Sequence, residues 1–519
     1  MEGQNSSDLR PQYAIVPGQS LAQLRMSSRN PCLCSDKQLT SVCLDLGASI
    51  HEILHLLKAD KKSFANIHLH YEPKAPLEGT VSIATPGNGF RLRFDGKDQR
   101  LRLIEITDFT KLRLAYKGSE LSKDGGTAEG PTFKRIYQLF RESYPGEYLP
   151  PKNSQGKGQY VLSWAGIAFI FPLQHSAYSP AKDHVSMLSS TAASPATVMS
   201  LFDGNSWPEV RNSIFTRTPS GPRLSAIATR PKDNLPAEIE LANVRQDGRI
   251  ELQRRTPAPP FMIVLNETTP QDLITELGAP DATHKRSTDT VPSDTPARHR
   301  ASSMSNGRPH PGSQPSSYSS TGTDTFDADF DSGDADEDPT DRSVREVFWC
   351  YFSHGMDILI GPQNDESTNL LVNGTSPRGS SPHLVVLKVI IHGNVPGSYA
   401  FNRHRRLRWT LDFPDQPYIG DLNSETSFDT TDGLRSALLH VFKDVWPEAD
   451  MGRGKVVNRV WGESGGVGMI DSNFLLDAEQ ELVESGGSEQ WLGNTKLFAF
   501  PGLGFEVLEG GAVAALTVY

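Results

Sequence analysis

The sequence predicts an α+β fold: tandem units of an amphipathic helix packed on antiparallel β-hairpins, with one long disordered insert. Three observations carry this. Four stretches show apolar residues at helical spacing, and each is followed by short alternating strands. A strand, a glycine turn and a second strand recur with a shared signature. One long segment rich in Ser, Thr, Pro and Asp is nearly empty of aliphatic residues.

The first unit opens at Ser49, with Ile50, Ile53, Leu54 and Leu57 on one helix face. Strands follow at 67–71, 81–84, 90–94 and 101–106. The second opens at Pro131, a favoured first helical position, and aligns Phe133, Ile136, Tyr137 and Phe140. Its strands are 160–164 and 167–171. The third starts with Thr269 as N-cap and Pro270 behind it, buries Leu273, Ile274 and Leu277, and stops at Gly278-Ala279-Pro280. Its strands are 347–352, 356–360 and 385–391. The fourth has a helix near 434–445 and strands at 497–500, 505–508 and 513–518. The recurrent signature sets an aromatic strand before a turn glycine and an apolar strand after it. The glycines predicted for these turns are Gly89, Gly166, Gly355 and Gly504, where hairpin geometry commonly needs φ > 0.

The segment from Lys285 to Asp341 carries bases in its first half and only acids in its second, with too little apolar surface to offset the entropy of ordering. The predicted organisation is therefore repeat units over 13–284, a disordered linker over 285–342, and further repeat units over 343–519. Within the linker, Thr295-Pro296 would offer a phosphorylation site. Shorter loop-like inserts are expected at 27–41, 176–200, 364–382 and 464–490.

A net charge of -11 over 519 residues argues against nucleic acid or anionic lipid as a partner of the whole surface, so any membrane contact must be local or mediated. Four cysteines are too few for a disulfide framework, and Cys32, Cys34 and Cys43 lack a fourth ligand at finger-like spacing, His51 and His55 being the only neighbours. The polar N-terminus has no apolar stretch of the signal-peptide kind. No apolar run approaches the roughly 20 residues that span a bilayer. A cytoplasmic protein is expected.

Chemistry has few candidates. His354 and Asp357 flank Gly355, and His392 and Asn394 flank Gly393, but a strand would send His354 and Asp357 to opposite faces. The glycine-rich run at 462–468 lacks the Lys-Ser/Thr of a phosphate-binding loop, and neither HExxH nor GxSxG occurs. No catalytic residue, cofactor site or metal site is expected. The one basic concentration runs from Arg403 through Arg405 and Arg406 to Arg408. Alternation puts Leu407, Trp409, Leu411 and Phe413 inside and Arg406 and Arg408 outside, either as a plain solvated face or as a patch for lipid phosphates or an acidic partner.

Several stretches, taken together, resemble the phagosome assembly factor family. They include Gly89-Phe90-Arg91-Leu92-Arg93-Phe94-Asp95 with Gln99-Arg100-Leu101-Arg102-Leu103, Tyr144-Pro145-Gly146-Glu147-Tyr148, and Leu277-Gly278-Ala279-Pro280. Val389 to Gly397, Tyr399-Ala400-Phe401-Asn402 and Gly504-Phe505-Glu506-Val507 complete them in family order. The resemblance implies a non-catalytic autophagy regulator working with a WD40-type β-propeller protein at the phagophore assembly site. It carries over no catalytic residues. Two other functions remain open from the residues themselves: a Golgi or endosomal trafficking scaffold, and a hydrolase with a cryptic site.

Overall fold

The structure, a computed structural model, describes residues 10–24, 40–122, 130–152, 156–217, 238–255, 258–285, 346–363, 383–414, 421–445, 454–457 and 495–519. Most of the linker expected at 285–342, the inserts at 364–382 and 464–490, the glycine run at 462–468, and Cys32 and Cys34 lie outside these residues.

The first half begins with a meander of β1 (Gln12–Val16), β2 (Ser20–Leu24) and β3 (Thr40–Asp45), then α1 (Ile50–Ala59). Four strands follow: β4 (His68–His70), β5 (Val81–Thr85), β6 (Phe90–Phe94) and β7 (Leu101–Ile106). A short pair, β8 (Arg113–Tyr116) and β9 (Ser119–Glu120), returns the chain to the meander, where β8 lies parallel to β1. Then come α2 (Phe133–Phe140), β10 (Glu147–Leu149), β11 (Lys157–Trp164), β12 (Ile167–Gln174), α3 (His184–Leu188), β13 (Val198–Phe202) and α4 (Trp207–Val210). Strands β4–β7 and β10–β13 join edge to edge through β7 and β13 in one eight-stranded antiparallel sheet, beside the five-stranded sheet β3-β2-β1-β8-β9.

The second half repeats this plan. A meander of β14 (Ile239–Arg245), β15 (Arg249–Arg254) and β16 (Phe261–Val264) precedes α5 (Pro270–Leu277). Four strands follow, β17 (Ala282–Lys285), β18 (Val347–Tyr351), β19 (Met356–Pro362) and β20 (Leu384–His392). The pair β21 (Arg408–Asp412) and β22 (Leu422–Asn423) comes back to the meander, β21 parallel to β14. Helix α6 (Leu434–Phe442) leads into β23 (Lys455–Val457), β24 (Thr495–Phe500), β25 (Leu503–Val507) and β26 (Val513–Val518). The sheet orders β16-β15-β14-β21-β22 and β17-β18-β19-β20-β26-β25-β24-β23 match those of the first half strand for strand.

Each expected helix-plus-strands unit is therefore present, and the units pair through their fourth strands. The boundary of the duplication falls between 217 and 238, ahead of the expected break at 285, because β14–β17 hydrogen-bond to strands of the C-terminal half. The expected loop at 176–200 contains α3 and the start of β13, whose apolar Val198, Met199 and Leu201 complete the sheet. Sequence reading also missed the two meanders and the edge strands β10, β17 and β23. The edge strands are only three or four residues long, too short for their alternation to register.

The local causes are ordinary. Ser49 caps α1 by accepting the Glu52 N–H at 3.1 Å. Thr269 and Asp272 form a reciprocal capping box on α5. Ile50, Ile53, Leu54 and Leu57 of α1 join Tyr13 and Leu21 of the meander and Phe90, Leu92, Ile104 and Phe169 of the large sheet in one core. The second half builds its own core from Val244, Ile250, Leu273, Ile358, Trp409, Phe428 and Phe505. Burying each such side chain contributes about 1.5–3 kcal/mol.

The central hairpin of each four-strand unit turns at a glycine with positive φ: Gly89 (73°), Gly166 (75°), Gly355 (78°) and Gly502 (74°). The fourth is a correction. Gly504 lies inside β25, and the tighter turn at Phe500-Pro501-Gly502 closes the hairpin two residues earlier. A Cβ on Gly355 would sit 2.4 Å from the Arg405 carbonyl oxygen, whereas one on Gly502 has nothing nearer than 3.6 Å. Gly355→Ala should thus cost about 3 kcal/mol or more, from strain plus a backbone clash. Gly502→Ala should cost only the strain, about 1–2 kcal/mol, and Gly504→Ala should be neutral or slightly stabilising by up to about 1 kcal/mol. Urea unfolding of the three variants checks that order.

Candidate functional site

The longest helix-free connection between consecutive described strands of the second half that the structure follows throughout is residues 393–407, from β20 to β21. Its backbone is held in unusual conformations by contacts with the first half. Asn394, at φ 45°, donates from Nδ2 to Gln99 Oε1 at 2.8 Å, and Gln99 Nε2 returns a hydrogen bond to the Asn394 carbonyl at 2.7 Å. Asn402 N donates to Asn394 Oδ1 at 2.6 Å and folds the loop on itself. Gly397 passes so close to Tyr71 that a Cβ there would meet its hydroxyl at 2.6 Å.

This loop carries the basic run, and the structure corrects its expected exposure. Arg405 and Arg406 are buried, Arg408 is half-buried, and only Arg403 is exposed, its guanidinium 5.9 Å from the Tyr399 ring centre. The reason is that β21 begins at Arg408, so strand alternation does not reach back to Arg406. The apolar face was read correctly: Leu407, Trp409, Leu411 and Phe413 are all buried.

Arg406 donates from Nε to the Lys97 carbonyl at 2.6 Å and from Nη1 to the Gly393 carbonyl at 2.7 Å, with Nη2 directed at the Ser424 carbonyl. Arg405 pairs with Glu238 and donates to the Ile239 carbonyl. Arg100, from the first half, shares the same Glu238 carboxylate. Arg408 bonds Asp98 at 3.0 Å and pairs with Glu425, which also takes Lys97 at 3.1 Å. Burial lowers both Arg405 and Arg406 to about 10, which leaves them charged near neutral pH. Burial pushes Glu425 up, but Arg408 and Lys97 outweigh it and hold the carboxyl below its usual range. The set is a seam of charge pairs where the halves meet, buried at Arg100, Arg405 and Arg406 and partly exposed at Arg408 and Lys97, and Glu238, Asp98 and Glu425 are the members that sequence reading missed. No local spacing links them to the basic run.

Beside the seam, Asp357 of β19 lies on the outer sheet face. Its Oδ2 receives His392 Nε2 at 2.9 Å and its Oδ1 receives His404 Nε2 at 2.8 Å. The two imidazoles stack at 3.8 Å with planes 10° apart. Burial opposes ionisation of Asp357, yet the hydrogen bonds from both histidines hold its carboxyl well below the ordinary range. Burial lowers His404, whose Nδ1 finds no hydrogen-bond partner. Cys350 sits across the ladder from Asp357, and its thiol is pushed up to about 12 by burial and by that carboxylate. His354 lies in the turn ahead of β19, where strand alternation does not apply, 3.3 Å from the Leu277 carbonyl. Sequence reading noticed Asp357 and His392 separately. It had no means to pair residues 35 and 47 positions apart.

From α1 of the first half, His51 approaches the Arg403 backbone and lies 3.0 Å from His55, Nε2 to Nε2. Burial, first of all, lowers His51 to about 3 and His354 to about 4.

Two outcomes follow from these surroundings. Arg406→Glu should destabilise the chain by about 3–5 kcal/mol, since it places an acid among carbonyl oxygens. Arg403→Glu should stay within about 0.5 kcal/mol, and thermal melts separate the two. Second, His51 and His354 bind protons more weakly folded than unfolded. The unfolded chain therefore takes up protons first as pH falls below 6.5, and stability drops from there towards pH 4. Asp45 and Glu52, raised by burial, act in the opposite direction at the acid end. Melting temperatures from pH 7.5 to 5 should decline, and His51→Gln should flatten the slope.

Among the described residues no helix is long and apolar enough to cross a membrane. No solved structure matches the chain. A PHAF1 protein of Arabidopsis thaliana is 23% identical over 478 residues, covering 91% of this chain and 89% of that protein. One of Drosophila melanogaster is 21% identical over 493 residues, covering 91% and 90%. One of Caenorhabditis elegans is 29% identical over 127 residues, covering 24% and 28%. The family model described as phagosome assembly factor 1 matches residues 41–309 and 332–519, both halves of the duplication, so the chain belongs to the phagosome assembly factor 1 family.

Proposed function

We propose that this protein is a non-enzymatic adaptor of autophagy that acts with a WD40-type β-propeller protein at the phagophore assembly site. The observation that carries this reading is the extent of the family match, which spans both halves of the duplicated scaffold. The relatives are named for assembly and not for a reaction, which supports an adaptor. The internal use of charge supports it as well, because Arg405, Arg406 and Asp357 are engaged by this chain's own groups. In this reading the protein is cytoplasmic and reaches the membrane through its partner.

Arg403 and Tyr399 are the part of the basic loop that solvent reaches, Tyr399 at 42% exposure. They take over the role first assigned to the whole run: contact with an acidic partner surface or with lipid phosphate. Arg403→Glu combined with Tyr399→Ser should leave the melting temperature almost unchanged. In starved cells it should reduce recruitment of the tagged chain to forming autophagosomes and its co-purification with a propeller protein. Recruitment equal to wild type would remove the loop from the contact. A wild-type chain that neither relocalises on starvation nor captures a propeller protein would remove the adaptor reading.

A further inference from the structure

We propose that Asp357, His392 and His404 bind one transition-metal cation, and that Zn2+ is the cation this donor set favours. Their ligand atoms all lie within 4.8 Å of one another and come from three separate segments: β19, the last residue of β20, and the 393–407 loop. The stacking of the imidazoles brings both Nε2 atoms to the same carboxylate. A tetrahedral zinc with bonds of about 2.0–2.1 Å sets its ligand atoms roughly 3.3 Å apart. The 2.8 and 2.9 Å separations run to the two different oxygens of Asp357, His404 Nε2 to Oδ1 and His392 Nε2 to Oδ2, so an ion between the three side chains would take the place of both hydrogen bonds as these contacts open.

The donor chemistry selects among cations. Two imidazole nitrogens and one carboxylate oxygen suit Zn2+ and its first-row neighbours and do not suit Mg2+ or Ca2+, which demand an oxygen shell. The surroundings are closed: the side chains of His404, His392 and Asp357 are 3%, 14% and 17% exposed. A nearly sealed site of this kind fits a structural ion better than a catalytic one.

Cys350 lies outside this three-residue set, and its sulfur would have to move in to become a fourth donor. It is directly opposite Asp357 in the β18–β19 ladder and 4% exposed. Its thiol proton would leave to solvent when the sulfur coordinates the ion. The ion would then tie β18, β19 and the end of β20 to the loop whose next residues, Arg405 and Arg406, enter the seam. Zinc here would order that loop whether or not the adaptor reading holds.

The test uses the full chain. Protein stripped with 1,10-phenanthroline, incubated with Zn2+ and desalted should retain about one zinc per chain by elemental analysis. Its melting temperature should fall on stripping and recover with Zn2+ but not with Mg2+. Asp357→Asn and His392→Gln should lose the zinc, while His440→Gln, on the exposed face of α6, should keep it. Co2+ in place of zinc should give the visible absorption of a tetrahedral site. A near-ultraviolet sulfur-to-cobalt band that disappears in Cys350→Ser would assign the fourth donor. If the ligand variants fail to fold, the wild-type stripping and recovery still decide the matter. A folded wild-type chain that retains no zinc, or an Asp357→Asn chain that retains it fully, would overturn the site and leave a hydrogen-bonded triad.

Discussion

Arg405 and Arg406 leave water at the seam between the halves, and a guanidinium moved there must be met by acceptors on every side or the halves come apart. The chain meets that demand with backbone more than with side chains. Carbonyls of Lys97, Gly393, Ser424 and Ile239 point inward, and the single carboxylate of Glu238 is shared by Arg405 and Arg100. Near two of those carbonyls the backbone is unusual: Asn394, at φ 45°, follows Gly393, and Gln99, at φ 52°, lies two residues after Lys97. The geometry of the seam therefore fixes the turn before β7, the exit from β20 and the entry to β14 at once.

The duplication makes one asymmetry plain. In the first half, residues 107–112 suffice to lead from β7 to β8. In the second, residues 393–407 lead from β20 to β21 along the same topological step. The extra chain is where the second half stops repeating the first and begins to bind it. It carries His404 to Asp357, Asn394 to Gln99 and Arg406 to Lys97, and it presents Tyr399 and Arg403 outward.

Elements governed by local chemistry could be seen in the residues. Helices α1, α2, α5 and α6 announced themselves in the residues, Gly166 and Gly355 through the aromatic strand before them, and Gly89 through the strand after it. Gly504 was mistaken for Gly502 because a glycine inside a strand and one at its turn look alike two residues apart. The parallel pairs β1·β8 and β14·β21 left no local trace, since parallel pairing joins distant segments. The seam and the Asp357 cluster were hidden for the same reason. A run of four bases in an acidic chain reads as surface until the fold shows Glu238 and a set of carbonyls closing over it.

The three longest breaks in the described second half each open and close on the same hairpin. Lys285 pairs with Val347, Pro362 with Leu384, and Val457 with Thr495. Closing such a loop costs free energy only with the logarithm of its length, so these are places where the gene can gain or lose sequence cheaply. They are also places where the covalent chain is dispensable once folded. Strands β14–β17 lie before the first of these breaks, yet β14 is hydrogen-bonded to β21 and β17 to β18, both beyond it. A single backbone cut between 285 and 347 would leave two interlaced fragments. They could part only by unfolding the second half, and so would travel as one particle until denatured.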